Sequence, residues 1–188
     1  MEALLVSTGI VALAEIGDKT QLLALLLAAR FRRPLPIILG ILVATLANHA
    51  LAGAVGTWVT RAIGEDAMRW VLGFSFIAMA AWMLVPDSPP DEHTRPARFG
   101  VFGTTLIAFF FVEMGDKTQI ATVALAAQYS AFAMVVAGTT LGMMIANVPA
   151  VLLGERATKV LPIRTVHVVA ALIFLALGVA VLAGVDVS

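Results

Sequence analysis

Glu15-Ile16-Gly17-Asp18-Lys19-Thr20-Gln21 returns 98 residues later as Glu113-Met114-Gly115-Asp116-Lys117-Thr118-Gln119, and both copies lie inside long apolar runs. Two of the three lysines in the chain belong to these copies. The other acids (Glu2, Glu65, Asp66, Asp87, Asp91, Glu92, Glu155, Asp186) fall at the ends of apolar runs or between them. Around the motif the match widens, with residues 15–29 and 113–127 agreeing at nine of fifteen positions. The same offset sets Phe76-Ile77-Ala78-Met79 against Phe174-Leu175-Ala176-Leu177. An Ala-Asn pair also recurs, one residue out of register, at Ala47-Asn48 and Ala146-Asn147. The chain is an internal repeat with its charge concentrated in the repeated element.

The composition says where such a chain resides. Of 188 residues, 61% are apolar and 13% charged, against roughly half and a quarter in soluble domains. Apolar runs of about 20 residues recur, the length a helix needs to cross hydrocarbon. The chain therefore reads as an all-α polytopic membrane protein in contact with the lipid bilayer. A net charge of zero gives no sign of nucleic-acid binding, and the absence of cysteine excludes disulfides and thiolate chemistry. The N-terminal run lacks the basic flank of a signal peptide and reads as a retained membrane helix.

Six spans are expected. The first, about Ala3 to Ala29, is too long for a straight span, and Gly17 is the natural place for it to break. The second runs from about Leu35 to Val59. A short polar link, Arg61 to Arg69, leads to the third, about Trp70 to Val85, with Trp70 and Trp82 as interfacial anchors. Residues 86–98 hold four prolines and no apolar periodicity, and read as a linker. The fourth span, about Phe99 to Ala127, ends in a tight turn at Gln128-Tyr129-Ser130. The fifth, about Ala131 to Gly154, is kinked at Pro149, and the sixth covers about Thr165 to Val185. Three spans per half is an odd number, so the second half enters from the opposite side. The expected domains are a three-helix repeat (1–85), a cytoplasmic linker (86–98) and an inverted three-helix repeat (99–188), the build of many secondary transporters. With the N-terminus outside, the inner loops carry Arg30, Arg32, Arg33, Arg95, Arg98, Arg156, Lys159 and Arg164, against Arg61 and Arg69 outside. That bias favours both termini outside.

Ionisable groups in a spanning helix cost at least about 2.5–3.5 kcal/mol each and mark ion or proton paths. On a helix Glu15, Asp18 and Lys19 share a face, as do Glu113, Asp116 and Lys117. Inverted copies bring four carboxylates together, a set suited to hard divalent cations. Thr20, Gln21, Thr118 and Gln119 can add neutral oxygens. Four carboxylates and two ammonium groups sum to −2, neutralised equally by one divalent cation or by two protons. Lys19 and Lys117 are assigned to charge pairing or proton coupling. Two plainer readings stand beside this one: salt bridges within each helix, or an interfacial loop beginning after Ala14. Asn48 and Asn147 are accessory candidates or interhelical glue. His49 has no evident counterpart, since Val148 follows Asn147. His167 and His93 read as solvated, Met143 and Met144 as packing, and Phe109-Phe110-Phe111 as core or one lip of a gate.

Two copies of Glu-x-Gly-Asp-Lys-Thr, one per half, resemble the hallmark of a cation/proton exchanger family that includes Golgi manganese/calcium transporters and bacterial MneA-type manganese exporters. The resemblance spans essentially the whole chain. It implies exchange of Mn²⁺, or Ca²⁺ in some members, for protons, with no permanently bound cofactor. It assigns the functional acids to Glu15, Asp18, Glu113 and Asp116, with Lys19, Thr20, Lys117 and Thr118 completing the motifs. The short linker and the lack of a long N-terminal extension point to a compact form in the bacterial cytoplasmic membrane. The expected function is therefore Mn²⁺ export by a secondary transporter rather than an enzyme. A small-solute exporter of the amino-acid type is the alternative, and no feature speaks to oligomeric state.

Overall fold

The computed structural model describes residues 1–85, 99–129, 131–154 and 163–185, with only the backbone given for Glu65 and Asp66. The expected linker at 86–98, the turn residue Ser130 and residues 155–162 of the polar segment 155–164 lie outside the described residues. Among these the protein is all-helical, with eight helices and no strand. They are α1 (Glu2–Glu15), α2 (Lys19–Phe31), α3 (Pro34–Ile63), α4 (Glu65–Met83), α5 (Gly100–Glu113), α6 (Lys117–Gln128), α7 (Phe132–Leu153) and α8 (Ile163–Leu182).

Three of them, α3, α7 and α8, are long and apolar enough to cross a membrane. Residues Ala67–Met83 and Gly100–Glu113 form shorter apolar helices. The motif-bearing runs divide into half-length helices of 14 and 13 residues in the first case and 14 and 12 in the second. Each half spans only about 20 Å at 1.5 Å per residue. The anticipated polar link Arg61–Arg69 is not a link. Helix α3 runs on to Ile63, and Gly64 alone, at φ 73°, separates it from α4.

Packing joins the two halves of the sequence. Helix α1 lies along α7 and α3 along α5; α4 lies along α8, and α3 also touches α6 and α7. Small residues permit these approaches. A Cβ on Gly138 would sit 2.5 Å from the Leu4 carbonyl oxygen, and one on Gly142 2.6 Å from that of Thr8. Gly40 meets Phe102 and Thr105 across α3–α5, and Gly73 and Gly178 bring α4 and α8 together. Glycine at helix crossings replaces the hydrophobic driving force that lipid removes, because close backbones gain dispersion contacts. Two apolar clusters result. One centres on Phe76, Met79, Met83, Leu125 and Phe174, the other on Leu27, Ile37, Ile41 and Phe109. Large apolar side chains such as Leu5, Trp58, Phe74 and Leu172 cover the outside. An apolar exterior is normal where the solvent is hydrocarbon.

Candidate ion-exchange site

Each motif is a helix, a tight turn and a second helix. Glu15 ends α1; Ile16 takes φ −64°, ψ 116°, and Gly17 takes φ +84°. The Asp18 amide then donates to the Glu15 carbonyl at 3.0 Å. These are the marks of a type II turn, whose third residue needs positive φ and hence glycine. The second copy repeats it, with Met114 at φ −65°, ψ 117°, Gly115 at φ +82° and Asp116 N–H to Glu113 carbonyl at 3.0 Å. Asp18 and Asp116 are the N-caps of α2 and α6. Gln21 and Gln119 reach back with Oε1 to accept from the Gly17 and Gly115 amides at 3.0 and 2.6 Å. That contact resembles a capping box shifted by one residue. The glutamine nitrogens bind across the fold, Gln21 Nε2 to the Ala146 carbonyl at 3.0 Å and Gln119 Nε2 to Asn48 Oδ1 at 3.5 Å.

This geometry corrects one expectation. Glu15, Asp18 and Lys19 do not share a helix face, because the turn at Gly17 lies between them; the same holds around Gly115. Neither Asp makes a side-chain capping bond to its own helix. The charges pair between copies instead. Lys19 Nζ lies 3.1 Å from Asp116 Oδ1, and Lys117 Nζ lies 3.6 Å from Asp18 Oδ1. A lysine at the first position of a helix opposes the helix dipole, and the opposite carboxylate offsets that. Salt bridges within a helix are therefore not what the motif makes. Nor is it an exposed loop: Glu15, Asp18, Glu113 and Asp116 are at most 2% exposed. Lys117 is equally buried, whereas Lys19 retains 27% exposure.

The glutamates sit beside the pairs. Asn147 on α7 donates through Nδ2 to Glu15 Oε1 at 3.1 Å. The Thr118 hydroxyl donates to Glu113 Oε1, and His49 Nε2 lies 3.7 Å from the same oxygen. Asn48 instead donates to the Phe110 carbonyl at 3.0 Å. Five buried oxygens of the two motifs and Asn147 have no hydrogen-bond partner among the described residues: Glu15 Oε2, Glu113 Oε2, Asp116 Oδ2, Thr20 Oγ1 and Asn147 Oδ1. Buried acceptors without partners are uncommon and each costs about 1–3 kcal/mol. They are the right chemistry for a hard cation. No three His, Asp or Glu groups among the described residues are close enough to hold an ion as they stand.

Three neighbours, His49, His167 and Ile163, differ from the sequence reading or lie outside it. His49 does have a counterpart: at the motif offset it corresponds to Asn147, and the match of the Ala-Asn letters had concealed this. His167 is not simply solvated, since Nε2 contacts the Ile16 carbonyl at 2.8 Å on the first turn. Ile163 packs over Gly17, while a Cβ on Gly115 would meet nothing within 4 Å. Met143 packs in the core as expected, with its Sδ 3.0 Å from Asn147 Nδ2. The three phenylalanines do not act together, with Phe109 buried and Phe111 largely exposed.

Comparison with known proteins agrees with the twin-motif resemblance. The model of the family described as "Divalent cation/proton antiporter GDT1" matches residues 3–91 and 101–186. A Vibrio cholerae protein described as "Putative manganese exporter" is 51% identical over 181 residues, covering 96% of this chain and 90% of its own. A GDT1-like protein of Synechocystis is 29% identical, covering 88% of this chain and 89% of its own. The rice GDT1-like protein 3 is also 29% identical, over 95% of this chain and 72% of its own. No solved structure matches at a significant level. The doubled acidic motif, the buried reciprocal ion pairs and the matched length lead to one assignment: the chain belongs to the GDT1 family of divalent cation/proton antiporters.

Proposed function

We propose that this protein exports Mn²⁺ from the cytosol of a bacterium in exchange for inward protons, as a secondary transporter of the cytoplasmic membrane. The observation that carries the reading is the reciprocal pairing of Lys19 with Asp116 and Lys117 with Asp18, together with five buried oxygens that have no hydrogen-bond partner among the described residues. It joins both motifs in one centre with a formal charge of −2. Two protons neutralise that centre, and so does one divalent cation, so either ion can occupy it while both together are disfavoured. That exclusion is what couples an exchanger. Neighbouring carboxylates titrate as a set, so the count fixes no stoichiometry. The metal is assigned by the Vibrio relative's description together with the family.

In this reading Glu15, Asp18, Glu113, Asp116 and the Thr20 and Thr118 hydroxyls supply oxygens to the cation. Asn147 orients Glu15, Asn48 orients Gln119, and Gln21 and Gln119 hold the turns. The ends of α1 and α5 present carbonyl groups to the cation, as broken helices do in other transporters. The lysines act as internal cations that release the aspartates when Mn²⁺ enters. The architecture is six spans in two inverted repeats, residues 1–85 and 99–188, with α1–α2 and α5–α6 as broken spans and both termini outside. Its support is that an exchange of α1 with α5, α2 with α6, α3 with α7 and α4 with α8 maps the main helix contacts onto one another.

The test is Mn²⁺ uptake into proteoliposomes under an imposed pH gradient, with Ca²⁺ as competitor. Wild type is expected to move Mn²⁺, and Asp18→Asn and Asp116→Asn each to abolish the flux. Transport by both variants at the wild-type rate refutes the shared site. Absence of any wild-type cation flux refutes the metal reading in favour of a solute exporter.

A further inference from the structure

We infer that His49 is a nitrogen ligand of the transported ion and tilts the site toward transition-series divalent cations over Ca²⁺ and Mg²⁺. The inference rests on the exchange reading above and names a ligand and a selectivity that it does not contain. At the offset relating the motifs, His49 on α3 occupies the place of Asn147 on α7. Each faces the glutamate that ends the opposite half-helix: Asn147 Nδ2 is 3.1 Å from Glu15 Oε1, and His49 Nε2 is 3.7 Å from Glu113 Oε1.

The two contacts differ in kind. Asn147 Nδ2 is satisfied, since it also reaches the Met143 carbonyl at 3.1 Å. His49 is fully buried, and neither ring nitrogen has a hydrogen-bond partner among the described residues. A separation of 3.7 Å is beyond hydrogen-bond reach, yet it fits two ligands on one ion with bonds of about 2.0–2.6 Å. Glu113 Oε1 already has the Thr118 hydroxyl as a structural partner, so His49 is not needed to satisfy it. A buried imidazole whose only close polar contact among the described residues is the long one to Glu113 carries a desolvation cost that a passing ion would offset.

The donor set explains the selectivity. Ammonium groups and amide nitrogens offer no lone pair, so among the described residues in contact with the four acids His49 is the one with a nitrogen lone pair to give. Oxygen-only sites suit Ca²⁺ and Mg²⁺. Adding imidazole favours first-row transition ions by donor softness. Replacing it with asparagine would make the two halves alike and oxygen-only.

Electron spin echo modulation on Mn²⁺ bound to the purified protein, prepared with natural or ¹⁵N-labelled histidine, reads the ligand directly. Wild type is expected to show histidine nitrogen that responds to the label. His49→Asn, which places the native residue of the equivalent position there, is expected to lose that signal. Its preference for Mn²⁺ over Ca²⁺ in competitive uptake should fall about tenfold or more, the scale on which metal-site neighbours act. Bound Mn²⁺ without histidine nitrogen in the wild type overturns the inference; so does a signal or preference that survives His49→Asn. A wild type that neither binds nor moves Mn²⁺ would instead sink the exchange reading, and this inference with it. The labelled wild-type spectrum needs no variant, so a His49→Asn chain that fails to fold does not remove the test.

Discussion

Removing one aspartate from each crossed ion pair should have unequal effects, because the lysines left behind sit in different surroundings. In Asp18→Asn the lysine that loses this carboxylate is Lys117, 1% exposed; in Asp116→Asn it is Lys19, 27% exposed. Breaking a buried pair by deleting one partner costs about 3–5 kcal/mol, since the remaining charge stays desolvated. A partly exposed lysine recovers water, and the loss falls toward the ~1 kcal/mol of a surface pair. Lys117 also donates to the Val85 carbonyl at 3.4 Å, which softens its loss without removing the charge. The expected gap is therefore about 2–4 kcal/mol. On the size scaling of about 2–4 °C per kcal/mol for chains of 150–250 residues, that is roughly 4–16 °C in melting temperature. The assay is thermal unfolding in one detergent, with Asp18→Asn melting below Asp116→Asn. The double variant Asp18→Asn/Lys117→Gln should regain most of the difference, as a neutral pair leaves neither of its own charges buried and unmatched, while remaining inactive in transport. Equal melting of the two single variants, or a double variant less stable than Asp18→Asn, would refute the crossed-pair account.

Two further expectations concern the turns and the helix crossings. Gly17→Ala and Gly115→Ala both force a side chain into positive φ, at about 1–2 kcal/mol; Gly17→Ala also drives Cβ to 2.5 Å from Ile163, whereas Gly115 has open space. Gly17→Ala should therefore melt lower than Gly115→Ala, and the reverse order would contradict the turn geometry. Gly138→Val should prevent α1 from seating on α7, because its Cβ meets the Leu4 backbone at 2.5 Å. Size-exclusion profiles should show loss of monodisperse protein, and a normal profile would place the crossing elsewhere.

Much of this site can be read in the sequence, for reasons that are local. Glycine between two carboxylates in an overlong apolar run marks a break, and the chain breaks at Gly17 and at Gly115. The repeat itself identifies the residues that the turns bring together. What is not legible is which charge meets which. On a continuous helix Glu15, Asp18 and Lys19 would have been neighbours, but the type II turn separates them and the partner comes from 98 residues away. His49 escaped because matching identical letters, Asn48 with Asn147, set the alignment one residue off. The motif offset pairs His49 with Asn147, and the contacts to Glu113 and Glu15 follow that offset. His167 looked like a span-end residue because nothing in its neighbourhood signals the Ile16 carbonyl, which the turn leaves without a helical partner. Long-range pairings of this kind depend on how helices cross, and local periodicity carries no information about that.

The central claim is that one site, built from both motifs, takes Mn²⁺ and protons in alternation. Its most direct test imposes a Mn²⁺ gradient alone on proteoliposomes with matched pH and follows internal pH. In the wild type Mn²⁺ entry should drive proton exit, and Glu15→Gln and Glu113→Gln should each abolish it. Mn²⁺ movement with no pH change, or full exchange by either variant, would contradict the account.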